Sequence, residues 1–212
     1  MFRRILNNKI GNILAFLATQ AEPLYMTKAL KLLYLIDETA ARQSGSPITW
    51  LDYKVWKKGP VAAEIYAELK NNQVIFYGNQ KIALDKFIKT ERISNFKNAN
   101  QTDIRLLPLV ACDFSEFSEF EEGIIRSIMT QYGGLNSNDL IELLHSEGSR
   151  WHQIVTQFNL EEHFKLRSDT SDYSIDFIDV IEGNEFLMLA AQASYESLDF
   201  QDNLQNSIEY IA

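Results

Sequence analysis

The sequence predicts a mainly α fold of the α+β type: a compact helical domain with a few short strands. Three observations predict it. Apolar residues recur every three to four positions over several windows of helical length. Short segments rich in β-branched and aromatic types lie between those windows. The 212 residues are 46% hydrophobic and 12% aromatic, enough to bury a sizeable core.

The first helix is expected over 5–20, where Ile5, Leu6, Ile10, Ile13, Leu14 and Leu17 share one face. Pro23 stops it or begins the next turn. A second helix is expected over 26–43. Met26, Leu30, Leu33, Ile36 and Ala40 form its stripe, and Leu32, Tyr34 and Leu35 widen it, which places it at the centre of the core. Gly45 suits a left-handed cap, with Pro47 just beyond. Residues 48–56 read as a short strand or extended segment. Pro60 then reads as the first turn of a helix over about 60–71, with Val61, Ile65, Tyr66 and Leu69 on its buried side. Beyond it, 73–77 reads as a strand, 82–89 as a short helix and 95–102 as a polar loop. Residues 104–110 read as extended, at an edge because of Pro108.

Ser118 and Glu121 form a capping box for a helix that runs to about Tyr132 and ends at Gly133-Gly134. Asn136 and Ser137 are candidate caps for the next, which carries Leu140, Ile141, Leu143 and Leu144. Gly148 breaks it, and 150–158 reads as another helix. Residues 173–181 alternate partly and read as a strand, and 184–197 and 200–211 as two helices. In the last, Phe200, Leu204, Ile208 and Ile211 make one stripe, to be buried in this chain or on another.

Charge is unevenly spread. Residues 1–100 carry a net +7 and residues 101–212 a net −16, which together make the whole-chain −9. Either the halves fold against one another or they present two different electrostatic faces. A pI near 4.9 argues against a nucleic-acid partner. The amino terminus superficially resembles a signal peptide. Asn7, Asn8, Lys9 and Asn12 interrupt its apolar part, however, and it reads as an amphipathic helix. No apolar run approaches the roughly 18 residues that would span a membrane. The single cysteine, Cys112, cannot form an internal disulfide, which fits a reducing cytoplasm.

Motifs of catalysis are missing. Three histidines and one cysteine, with no CxxC, HExxH or EF-hand loop, give no metal site. His145 and His152 are separated by Gly148 and read as structural. No phosphate loop, nucleophile elbow or kinase signature occurs, so no cofactor and no enzyme activity are expected. Lys57-Lys58-Gly59-Pro60-Val61 has two readings. It is an anion or carboxylate site at a helix N-terminus, or a plain junction with solvated lysines. Lys28 and Lys31 share a helix edge, as a basic strip for a partner or as solubility and internal pairing. Trp50, Tyr53 and Trp56 suit interface anchors or core.

An ordered set of motifs carries a resemblance: Lys31-Leu32-Leu33-Tyr34-Leu35, then Gly45-Ser46-Pro47-Ile48, then Trp56 to Val61 followed by Tyr66. Downstream come Tyr132-Gly133, Leu140, His145-Ser146-Glu147 and Arg150-Trp151. Over roughly 7–158 the chain resembles the Panacea-domain, SocA-like antitoxins of bacterial and phage toxin–antitoxin pairs. Arg150 stands where that family has proline. The resemblance implies a helical domain, read here as 1–165; it does not cover the tail, and 166–212 reads as an acidic extension packed on the same domain. It implies neutralisation of a cognate toxin protein, encoded adjacently, by direct contact. An adaptor that delivers a toxin to a protease and a nucleic-acid-binding regulator are the alternatives. The partner-binding residues expected on this reading are Lys28, Lys31, Tyr34, Trp56, Lys57, Lys58, Gly59, Pro60, Tyr66, His145 and Trp151, with the acidic tail as the competing surface.

Overall fold

Two long apolar stripes organise the chain. The computed structural model describes residues 2–71, 75–77, 80–82, 84–94, 102–181 and 183–209. Helix α1 (Phe2–Gln20) turns Ile10, Ile13, Leu14 and Leu17 inward, all fully buried. A two-residue strand, β1 (Leu24–Tyr25), leads into α2 (Met26–Ser44). Every residue of α2 from Ala29 to Asp37 is buried, so this helix is surrounded rather than laid on a surface. Gly45 ends it at φ +81, its N–H donating to the Ala41 carbonyl.

One expected helix divides at its start. Residues 60–62 belong to strand β3 (Gly59–Ala62), which pairs antiparallel with β2 (Tyr53–Trp56), and α3 (Ala63–Asn71) begins only afterwards. Pro60 fits a strand here for a definite reason. Its partner across the ladder is Val55, whose N–H donates to the Tyr173 carbonyl and whose carbonyl accepts from the Ser171 hydroxyl. Val55 thus faces away from β3, and the N–H that proline lacks has no acceptor waiting for it.

Strands β4 (Ile75–Tyr77) and β5 (Gln80–Ile82) form a small antiparallel pair. Residues 73 and 74 of the expected 73–77 strand lie outside the described residues. The short helix expected over 82–89 is a single 3₁₀ turn, Leu84–Lys86, followed by β6 (Ile88–Ser94). A short mixed run fits either period, and pairing with β7 (Thr102–Pro108) decides for the strand. The polar loop expected over 95–102 lies outside the described residues up to 101, and Thr102 opens β7. β7 is central, not an edge, because β1 and β6 flank it. Pro108 is tolerated as its last residue, past Arg105 and Leu106, the positions that β1 reaches.

The remaining helices follow their caps. α4 (Glu119–Tyr132) has both halves of the Ser118–Glu121 capping box. Asn136 accepts from the backbone of Asn138 and Asp139 at the head of α5 (Ser137–His145). Ser149 caps α6 (Arg150–Gln157). α7 (Leu160–Leu166) was not expected; it buries Leu160 and Phe164, one turn apart. Residues 173–181 form no regular strand: Ser174 makes one bridge to Lys54, and Ile178–Val180 is a 3₁₀ turn. The two expected tail helices are one, α8 (Glu185–Glu209). Between 197 and 200 stand Ser, Leu, Asp and Phe, with no glycine or proline to break it. Its first turns lie on the end of α2, with Ala191 fully buried and the Tyr195 ring edge-on to Trp50 at 4.9 Å. Phe200 is 64% exposed, and the side chains of Leu204 and Ile208, with Ile211, lie outside what is described. Among the described residues no helix is long and apolar enough to cross a membrane.

Candidate functional site

The β2–β3 turn sets the site. Trp56 pairs with Gly59, so Lys57 and Lys58 form the tip of a hairpin. They do not stand at a helix N-terminus, and the anion site expected from free helical N–H groups has no basis here. Gly59 sits at φ +98, a conformation that side chains with a Cβ rarely adopt. A Cβ there would also lie 3.0 Å from Lys31 Nζ and 3.5 Å from His145 Nε2. The glycine therefore allows α2, α5 and the hairpin to converge.

Lys31 projects from α2 beneath this turn. It is only 1% exposed, and its Nζ donates to the Pro60 carbonyl at 2.6 Å. Burial, reinforced by the nearby charge of Lys58, pulls its ammonium down to about 7. The amine is thus poised between charged and neutral forms. His145 stacks on Trp151, ring centres 3.6 Å apart and planes 3° from parallel. Its Nε2 is buried with no hydrogen-bond partner, and burial, then the charges of Lys31 and His152, lower its pKa to about 4. Trp151 Nε1 donates to the Trp56 carbonyl at 2.8 Å, fastening α6 to the hairpin.

A cavity of about 500 Å³ opens beside Lys31. Trp56, Lys57, Lys58 and Tyr66 line it, with Tyr25, Lys70, Arg92, Asp103 and Asp169. The Trp56 and Tyr66 rings meet edge-to-face at 4.9 Å. Lys57 is exposed and pairs with Asp169 at 2.8 Å.

Of the residues singled out from sequence, Lys31, Trp56, Lys57, Lys58, Gly59, Pro60, Tyr66, His145 and Trp151 gather around this turn. Two do not. Lys28 donates to the Gly133 carbonyl at 2.5 Å, so Lys28 and Lys31 form no basic strip. Tyr34 is 1% exposed and packs on Tyr53 and Phe177, deep in the core. Sequence reasoning missed Lys70, Arg92 and Asp169. Lys70 had a signal, four positions after Tyr66 on one helix face, where its Nζ donates to the Tyr66 hydroxyl at 2.8 Å. Arg92 and Asp169 had none, since long-range pairing brings them in.

The sequence model of a family described as antitoxin SocA-like, Panacea domain, matches residues 30–152. The chain belongs to that family. No curated protein and no solved structure matches it. The matched span of this Panacea-domain protein holds Lys31, the whole hairpin, α3, Arg92, His145 and Trp151. Asp169, which closes the cavity from the acidic segment, lies outside it. The family is one of antitoxins, so the protein's general role is that of an antitoxin whose counterpart is a toxin.

Proposed function

We propose that this antitoxin neutralises its toxin by direct protein–protein contact, without chemistry of its own, and that the hairpin tip is the contact. The toxin is the product of an adjacent reading frame, met in the cytoplasm. The observation that supports this is the arrangement around the turn. Two exposed lysines stand on a hairpin held by the Trp151 indole and by β2's bonds to 171–175. Half-buried Trp56 and Tyr66 flank them. Tryptophan and tyrosine are among the residues that dominate interface energetics, and the lysines beside them add charge that can steer an acidic partner. In this reading 166–212 act as an extension of the same domain, of which 169–175 brace the hairpin along β2.

Bacterial growth tests it. Induction of the adjacent product should arrest growth, and co-expression of this chain should restore it. The Lys57→Glu/Lys58→Glu double variant should fold normally and fail to rescue, because like charges now face an acidic partner patch. A harmless neighbour overturns the pairing, and full rescue by the double variant overturns the surface.

A further inference from the structure

Lys31 is an ammonium group taken out of water with no ion pair among the described residues. Its one hydrogen bond goes to a neutral carbonyl, and the charge that bears on it is another cation, Lys58. Burying such a group unpaired is strongly unfavourable. A hydrophobic side chain of similar length would satisfy the core of α2 at less cost. The lysine is instead one of the residues that line the cavity.

The rest of the lining has the same bias. Five cationic side chains (Lys31, Lys57, Lys58, Lys70 and Arg92) face two acidic ones, Asp103 and Asp169. They come from α2, the hairpin tip, α3 and β6, so no single amphipathic face accounts for them. Lys58 makes no hydrogen bond or ion pair among the described residues. An Arg92 guanidinium nitrogen donates to the Lys70 carbonyl at 2.5 Å and Lys70 Nζ donates to the Tyr66 hydroxyl at 2.8 Å, so both side chains are held at the cavity wall. A volume of about 500 Å³ falls in the range, roughly 300–1,000 Å³, of small-molecule sites.

We propose that this cavity binds a small phosphorylated molecule bearing a planar ring, its phosphate held by Lys31 and Lys58 and its ring lying against Trp56 and Tyr66. A single carboxylate would balance one cation, whereas even without Lys31 four cationic side chains face two acidic ones, an excess of two that suits the two charges of a phosphate monoester. Trp56 and Tyr66 offer aromatic surface at the same wall, and stacking on such side chains is tolerant of ring identity. The proposal goes beyond toxin contact and stands whether or not the hairpin tip meets a toxin.

Titration calorimetry on the full-length chain, without any toxin, tests it. The probes are AMP, ribose 5-phosphate and glutamate. AMP should bind, ribose 5-phosphate more weakly for lack of the ring, and glutamate more weakly than either. Lys31→Met should weaken AMP at least about tenfold, the loss of one charge-assisted bond. Lys58→Ala, at the exposed tip, should weaken it several-fold and serves if Lys31→Met unfolds. No AMP binding at millimolar concentration overturns the proposal. So does glutamate binding as tightly as AMP, or unchanged AMP affinity in both variants. Growth rescue is a separate assay, so loss of one result leaves the other standing.

Discussion

Helix α2 buries two charged side chains and surrounds them differently. Asp37 is completely buried, yet its carboxylate accepts from the Ile48 and Thr49 backbone N–H groups at 2.8 Å, from the Tyr53 hydroxyl at 2.7 Å and from the Thr49 hydroxyl. Lys31, six residues earlier, has one side-chain bond among the described residues, and a cavity. Asp37 organises structure: it ties the loop after α2 back onto the helix and fixes Tyr53, the first residue of the hairpin. Lys31 organises little of its surroundings and is the group left wanting a counter-charge. Full satisfaction marks a buried charge that serves the fold, and partial satisfaction marks one that serves something else.

The sharpest way to break this comparison is to delete each group. Asp37→Ala leaves two backbone N–H groups and two hydroxyls without acceptors, so a loss of about 3–5 kcal/mol is expected in urea unfolding. Lys31→Met replaces an unpaired charge by an apolar chain of similar length. Its unfolding free energy should match wild type within about 1 kcal/mol or exceed it. Equal losses at both sites would erase the distinction.

Next in size is the dependence on pH. Burial raises Asp37 from 3.8 to about 6, against the lowering effect of its hydrogen bonds. A raised carboxyl favours the folded state most below pH 3.8, and that contribution is lost as pH climbs to about 6. His145 acts oppositely: lowered from 6.5 to about 4, it favours folding above pH 6.5 and loses that contribution as pH falls towards 4. Lys31, lowered from 10.5 to about 7, favours folding fully only above pH 10.5, and the contribution fades as pH falls to 7. Stability should therefore change little between pH 4 and 6, where two slopes oppose, and rise from pH 7 to 10. Thermal unfolding of wild type beside Lys31→Met checks the second slope, which the variant should lack.

The two ends of α2 also differed in how far the sequence revealed them. Its apolar stripe and Gly45 cap were legible, because both are local. So were Ser118–Glu121 and Asn136, whose partners stand within three residues. The Lys31 site was half legible. The lysine, the turn and the aromatics are readable as residue types, but from sequence their arrangement reads as a helix start. Pro60 carries the same φ in either setting, and what decides for the strand is that Val55 spends its bonds on 171 and 173, more than a hundred residues away. Asp37 gave no warning at all. One aspartate in an apolar helix looks like an exposed residue until Ile48, Thr49 and Tyr53 fold over it.

The smallest expected effect concerns the same hairpin and the opposite charges of the two halves. With +7 in residues 1–100 and −16 beyond, attraction would be the obvious reason for 169–177 to lie along β2. The contacts say otherwise. Its ion pair to the hairpin, Lys57–Asp169, has both side chains well exposed, at 47% and 69%. Such a pair contributes about 0–1 kcal/mol, and salt screens it. The segment is held instead by backbone bonds, from Val55 to Tyr173 and from Ile175 to Tyr53, and by Phe177, buried against the Tyr34 and Tyr53 rings. Asp169→Ala should therefore shift unfolding by less than about 0.5 kcal/mol in urea. Raising the salt to half-molar should leave amide exchange at Val55 and Ile175 slow. Faster exchange there with salt would mean that charge, and not the ladder and the buried ring, keeps the acidic segment on the hairpin.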